Sequence, residues 1–336
     1  MIEGKQTANE QQVETRDAQF CFIHIGLPKT ASTTLRTEFF PKHPQLEYLG
    51  KLKNKTFRDA DITKILTSIE RAPVDPQNVS EYKDLFAANV APAMDQRRIP
   101  TWSEEGLAMG GRKKRLARAN SMRQMLGDCK ILFVLRHPIA LLEAFYFQDL
   151  KGAQIGPTNT FRSRGHFEDF ESWLNDWSSG DGGRLQNKGL MDYAHTARIY
   201  VDTFGRESVG VFLYERLVED PAQYMDEICK FVGIENSPDV QKVGLAKYNI
   251  RWTEPQVEIL KAISKSPIRR MMFRLQSDQQ RRRTLGMTKR NRADGAKAHV
   301  KIPKEWQKRI NEFQLPGNQW IAEQWGLPLQ KYGYSM

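Results

Sequence analysis

The sequence predicts an α/β fold: a three-layer sandwich in one domain, with helices on both sides of a central, mainly parallel sheet. Three stretches carry this expectation. Phe20–Ile25, Cys129–Leu135 and Val209–Leu213 are short runs rich in β-branched and aromatic residues, and each leads into a segment of helical periodicity. Runs that are apolar throughout, rather than alternately polar, suit strands covered on both faces. With 336 residues the chain can bury a substantial core.

The first unit is the most informative. Phe20–Ile25 ends at Gly26 and Pro28, after which Thr30, Ala31, Ser32, Thr33 and Thr34 lead into apolar positions Leu35, Phe39 and Phe40 at helical spacing. Unpaired N–H groups at a helix start, several hydroxyls and the Lys29 ammonium would converge on one small anion, of which phosphate is the natural example. Each hydroxyl read alone is equally a helix cap. A Walker loop, GxxxxGK[ST], is the nearest general template, but Lys29 precedes the hydroxyls and no second Gly-Lys pair follows, which disfavours a metal-dependent NTPase.

Further along, Leu46–Gly50 reads as a short strand, and Ile62–Ile69 and Glu81–Met94 read as helices outside the sheet, separated by the breaker-rich Ala72–Asn78. Ile99–Ser103 is a strand that delivers Glu104 and Glu105 to its C-terminal edge, where ligands of open α/β sheets sit. Gly111–Leu126 reads as an amphipathic helix with Leu116, Ala119, Met122 and Leu126 inward and its Arg and Lys in solvent. After Cys129–Leu135, Pro138 opens a helix over Ile139–Phe147, so Arg136 stands at a strand–helix junction where its fork of donors suits a second phosphate.

Gly152–Gly165 reads as a loop and Phe167–Trp177 as a helix whose aromatic residues are first of all core. His166, just before that helix, is either a base or substrate ligand or an ordinary exposed histidine. Met191–Phe204 and the segment opened by Pro221 are helices, and Tyr214 at the end of Val209–Leu213 either lines an adenine pocket or packs the sheet.

Pro28, Lys29, Thr30, Ala31, Ser32 and Thr33 resemble the loop that binds the 5′-phosphosulfate in sulfotransferases using 3′-phosphoadenosine 5′-phosphosulfate (PAPS). Ala31 stands where that family commonly has Gly, a mild change at negative φ and an awkward one at positive φ. Ser103-Glu104-Glu105-Gly106-Leu107 is similar to a stretch of bacterial members that carries an acid at the Glu105 position. Arg136, Pro138 and Tyr146 match the 3′-phosphate motif, with Ala144 where the family has Ser. The lost hydrogen bond would be worth roughly 1.5–3 kcal/mol with a charged acceptor. VFLYERLVEDPAQYMDEICKFVGI resembles the segment that closes the cofactor domain; beyond Lys247 the likeness thins, though Asn249–Ile259 and the last 20 residues still resemble bacterial members.

The resemblance implies a P-loop NTPase-like sulfotransferase fold and transfer of a sulfuryl group from PAPS to a hydroxyl or amine acceptor, a carbohydrate or small metabolite. The product would be adenosine 3′,5′-bisphosphate and no metal would be required. It implies that Lys29 and the loop from Thr30 to Thr34 hold the 5′-phosphate, that Arg136 holds the 3′-phosphate with Tyr214 near the adenine, and that Glu105 or else His166 takes the acceptor proton. A catalytically idle relative that binds nucleotide or an anionic polymer is the alternative.

The formal net charge is +11, and Arg269–Arg292 holds nine Lys and Arg against one Asp. That run is read as a solvated face, an anionic-substrate element or a nucleic-acid patch, and no helix-turn-helix or aromatic platform favours the last. The 265–300 stretch is taken as a basic lid or acceptor-recognition insertion in a domain spanning 19–336, after a flexible segment 1–18. Three cysteines in apolar segments suit reduced thiols. The polar start and the lack of 18 consecutive apolar residues predict a soluble, cytoplasmic protein with no membrane span. The oligomeric state stays open.

Overall fold

The computed structural model describes residues 20–51, 59–156, 159–178, 191–237, 252–287 and 295–336. The flexible segment expected over 1–18, the start of the Asn249–Ile259 likeness, residues 288–294 of the basic stretch and the side chain of Trp177 lie outside this description.

Five parallel strands form one sheet in the order β2-β3-β1-β4-β5: β1 (Cys21–His24), β2 (Leu46–Tyr48), β3 (Ile99–Ser103), β4 (Cys129–Leu135) and β5 (Val209–Leu213). The three later strands have the limits read from the sequence. In register, Ile23 lies beside Trp102 on β3 and Ile131 on β4. Side chains alternate across the sheet, so β1 feeds two cores. Cys21, Ile23 and Ile25 join the larger one, and Phe22 joins a second with Leu132, Val134, Met225 and Ile228. Layers on both faces make the three-layer sandwich expected.

On the smaller core lie α1, a short helix at Ser32–Thr34 that widens into a π-helical turn over Leu35–Phe39, and, much later in the chain, α8 (Tyr214–Glu219) and α9 (Pro221–Val232). The larger core takes α2 (Ala60–Arg71), α3 (Pro76–Asp95), α4 (Arg112–Leu126), α5 (Pro138–Ile155), α6 (Phe170–Ser178) and α7 (Tyr193–Phe204). It is extended by α10 (Glu254–Lys265), α11 (Pro267–Leu275), α12 (Asp278–Thr284) and α13 (Lys304–Trp325). The three cysteines are buried and free.

Four readings are corrected. The breaker-rich Ala72–Asn78 ends early, because Asp75 accepts from the Gln77 N–H at 3.0 Å and Pro76 starts α3. The loop expected from Gly152 is helical to Ile155, since Gln154 and Ile155 are buried and hold α5 together past its glycine. The aromatic helix starts at Phe170 rather than Phe167, where the Asp169 carboxylate takes the Ser172 N–H. In α4 the inward and outward faces are mixed: Leu116 is exposed, whereas Arg115 and Arg118 are buried. Arg118 reaches the carbonyls of Glu70, Gly106 and Met109, and Arg115 bonds Thr196 and pairs with Asp192 at 3.1 Å. Paired guanidinium groups with long apolar stems can occupy positions that hydrophobic periodicity assigns to Leu.

Candidate functional site

The loop after β1 is built around two contacts. A β-carbon on Gly26 would lie 2.1 Å from His24 Nε2, so only glycine lets the chain cross over that ring. His24 is fully buried, shares 2.8 Å with Ser103 Oγ through Nδ1, and leaves Nε2 without a partner. Burial, and then the nearby Arg36, push its pKa down from 6.5 to about 3.

This arrangement has a consequence for stability. Below pH 6.5 the unfolded chain binds a proton that folded His24 refuses, so its contribution is full above that pH and falls by about 1.4 kcal/mol per pH unit toward the folded value near 3. Melting temperatures measured from pH 7 to pH 4 should therefore fall more steeply for the native chain than for His24→Asn. Parallel curves would mean that His24 protonates as readily folded as unfolded.

Beyond Gly26, Lys29 and Ala31 both adopt left-handed backbone, with φ of 71° and 65°. Ala31 therefore sits in the awkward case. Left-handed residues in a turn aim successive N–H groups into one concavity, and the first-turn N–H groups of α1 add to it. The hydroxyls divide into two sets. Thr30 Oγ1 and Ser32 Oγ both donate to the Leu27 carbonyl, at 2.6 and 3.2 Å, so they brace the loop from within. Thr33, part-exposed, and Thr34, buried, make no side-chain hydrogen bond among the described residues.

The Lys29 ammonium likewise has no hydrogen-bond partner among the described residues. Partial burial lowers its pKa, Glu105 opposes that, Lys151 and Arg136 lower it further, and Asp149 works the other way. Lys29 is thus the electrostatic centre of a group that gathers residues from the ends of β1, β3 and β4 and from α5.

Glu104 and Glu105 separate in role. Glu104 accepts from the Gly106 N–H at 3.0 Å and pairs with Lys51 at 3.4 Å. Glu105 opens a 3₁₀ turn, Glu105–Ala108, that Arg118 fixes through the Gly106 carbonyl. Its Oε1 meets Arg36 Nη2 at 3.1 Å, and Oε2 has no partner among the described residues.

At the end of β4, Arg136 Nη1 donates to the Lys29 carbonyl at 2.8 Å and its guanidinium lies 4.5 Å over the Tyr214 ring, while its buried Nε has no partner. The junction is tied down on every side. Tyr193 donates to the Arg136 carbonyl, Glu215 accepts from the His137 N–H at 2.7 Å, and Tyr334 donates to the same carboxylate at 3.2 Å. Tyr146 is buried with its hydroxyl on the Glu168 carbonyl, and Ala144 sits part-exposed on α5.

His166 is exposed on the loop after α5, with its carbonyl held by Gln154 at 3.0 Å. The described part of the basic stretch forms α11 and α12, which dock on the distal end of α5. Arg281 and Arg282 reach the Gln154 and Ile155 carbonyls, and Arg274 reaches those of Arg162 and Arg164.

The sequence reading missed Arg36, Arg118, Lys151 and Asp149. Arg36 lies on the π-helical turn after the loop, and its spacing from Lys29 gave no signal because Lys29 and Ala31 are left-handed and the helix begins only at Ser32. The others become neighbours only through the packing of α4 and α5.

The fold and this edge define an α/β protein with a lysine-bearing, hydroxyl-rich loop, a guanidinium and a carboxylate at the ends of three adjacent strands. Comparison with solved structures returns sulfotransferases, the same family that the sequence resembles. One is the sulfotransferase from Alicyclobacillus acidocaldarius, 18% identical, covering 79% of this chain and 99% of that one at a TM-score of 0.39. Another is mouse sulfotransferase SULT7A1 complexed with PAP, 14% identical, covering 95% and 90% at a TM-score of 0.46. A third is the sulfotransferase domain from the Synechococcus PCC 7002 olefin synthase, 16% identical, covering 77% and 88% at a TM-score of 0.36. No family model and no curated protein matches the chain.

Proposed function

We propose that the protein is a sulfotransferase that moves the sulfuryl group of PAPS to a hydroxyl acceptor, a carbohydrate or small metabolite. The observation that carries this reading is linear order along the sheet edge: Glu105 follows β3, Lys29 follows β1 and Arg136 follows β4, and β3, β1 and β4 are neighbours. Strands lie about 4.8 Å apart, so base, sulfuryl site and second phosphate fall in a row roughly 10 Å long.

The donor fits the residues present. Arg136 Nε is buried, unpartnered and stacked beside Tyr214, a place where the 3′-phosphate would complete the guanidinium and the adenine would meet the tyrosine ring. The 5′-phosphate would take the inward N–H groups of the loop, Lys29 Nζ, and the Thr33 and Thr34 hydroxyls. Thr30, Ala31 and Ser32 then contribute backbone and bracing rather than side-chain donors.

In the reaction the acceptor oxygen forms a bond to sulfur as the sulfur–oxygen bond to the 5′-phosphate breaks, and the electron pair leaves with the phosphate. Lys29 and the loop N–H groups meet that growing charge, which fixed donors do without reorganising. The acceptor's proton passes to Glu105 Oε2 while Arg36 holds Oε1 and fixes the carboxylate. His166 is the competing base, and a Glu105→Gln variant that kept its rate would transfer the role to it.

Ala144 favours a second reading, an idle member of the family. Sulfuryl transfer from PAPS to a panel of hydroxyl acceptors decides between them, and titration calorimetry with adenosine 3′,5′-bisphosphate tests the donor site. Binding is expected, and Ala144→Ser should tighten it about tenfold by restoring one hydrogen bond to a charged acceptor. Absence of binding in both proteins would remove the sulfotransferase reading.

A further inference from the structure

The outward face of α11 is apolar. Ile268, Met271, Met272 and Leu275 are 74, 50, 65 and 70% exposed, and their spacing places them on one stripe, with Phe273 buried on the opposite side. Half-exposed Phe161 lies beside this helix, under the Arg274 guanidinium. Cations rim the stripe: Lys265 precedes it, Arg269 and Arg274 flank it, and Arg282 and Arg283 follow on α12. Asp278 is the sole acidic residue between Lys265 and Met287, and Arg281 holds it. Among the described residues no carboxylate pairs with the other basic groups here, and the bonds of Arg274 and Arg282 go to backbone carbonyls, which leave their charge uncompensated.

We propose that this ridge seats the protein on an anionic membrane surface. Its chemistry is that of an interfacial helix, with apolar side chains for the acyl boundary and Arg or Lys at headgroup height. Charge complementarity selects the occupant. A second copy would bring the same cations against themselves, and a helix ridge is convex, so a protein partner would need a matching acidic groove. A fluid anionic headgroup layer accepts a convex ridge without one. No described helix is long and apolar enough to cross a membrane, so the attachment is peripheral. The inference is independent of the donor site and stands whether or not PAPS binds.

The test is sedimentation of the full chain with vesicles of phosphatidylcholine, alone or mixed with phosphatidylserine. Binding is expected only to the mixed vesicles. Met272→Asp/Leu275→Asp should weaken it about tenfold or more, as should Arg269→Glu/Arg283→Glu, because both apolar and charged contacts contribute. All four side chains replaced are exposed, and unchanged melting temperatures would confirm intact folds. Three outcomes overturn the proposal: no binding to mixed vesicles, equal binding to both kinds, or full binding by the Met272→Asp/Leu275→Asp variant, which would reduce the effect to adsorption of a basic surface. Binding to polyglutamate but not to mixed vesicles would assign the ridge to an acidic protein instead.

Discussion

Replacing Lys29 by Ala should lower kcat by about 10³-fold or more, since one preorganised donor at a developing oxyanion is worth two to three orders of magnitude and Lys29 also carries a full charge. Its ammonium has no hydrogen-bond partner among the described residues, and no other side chain between Gly26 and Thr34 carries positive charge. The pH profile provides a separate check. Burial draws the Lys29 pKa below the ordinary lysine value of 10.5, with Glu105 only partly restoring it. The charged form is the working form, so rate should decline on the alkaline side earlier than an ordinary lysine would dictate. Lys29→Arg stays protonated and should lose that alkaline limb even though its bulkier head lowers the rate at neutrality. If the limb survives in Lys29→Arg, another group titrates there.

Arg136→Ala should weaken adenosine 3′,5′-bisphosphate binding by about 10²-fold or more, the loss expected for a buried charge-assisted pair. Arg136 also holds the Lys29 carbonyl, so some of that loss would come from a loosened loop. Comparing the bisphosphate with adenosine 5′-monophosphate separates the two effects. A loosened loop weakens both nucleotides alike, whereas loss of the second phosphate contact removes the preference between them. Calorimetry showing the native preference intact in Arg136→Ala would place the 3′-phosphate elsewhere.

The strands were legible for two reasons: β4 and β5 are short, mostly apolar runs bounded by polar or breaker residues, and β3, despite Pro100 and Thr101, is a short extended run stopped by Glu104, Glu105 and Gly106. The helices were harder. The α4 sequence reads as an amphipathic helix with Leu116 inside, yet three carbonyl groups gathered from α2 and the turn after β3 make Arg118 the better buried residue. Within the site, Lys29, Glu105 and Arg136 could be named because each stands at a strand end. The inward turn of Thr30 and Ser32 could not, since it depends on the backbone carrying the Leu27 carbonyl beneath them. Arg36 was hidden for a related reason: its partner Glu105 is 69 residues away and reaches it only because β3 inserts beside β1.

That insertion divides the molecule along a seam. Everything proposed for the donor lies on β1 and the β4–β5 side, while Glu105, Arg36's reach and the outer β2 lie toward the other edge, with Lys29 common to both. Under the proposed function, remodelling β2 and the helices that follow it would exchange one acceptor for another and keep the proposed donor site untouched. The same division offers a route for engineering: under the proposed function, grafts confined to residues 46–98 should alter which hydroxyl is served while leaving bisphosphate affinity as it was, because Ser103 under His24 and Glu105 beside Lys29 stay in place.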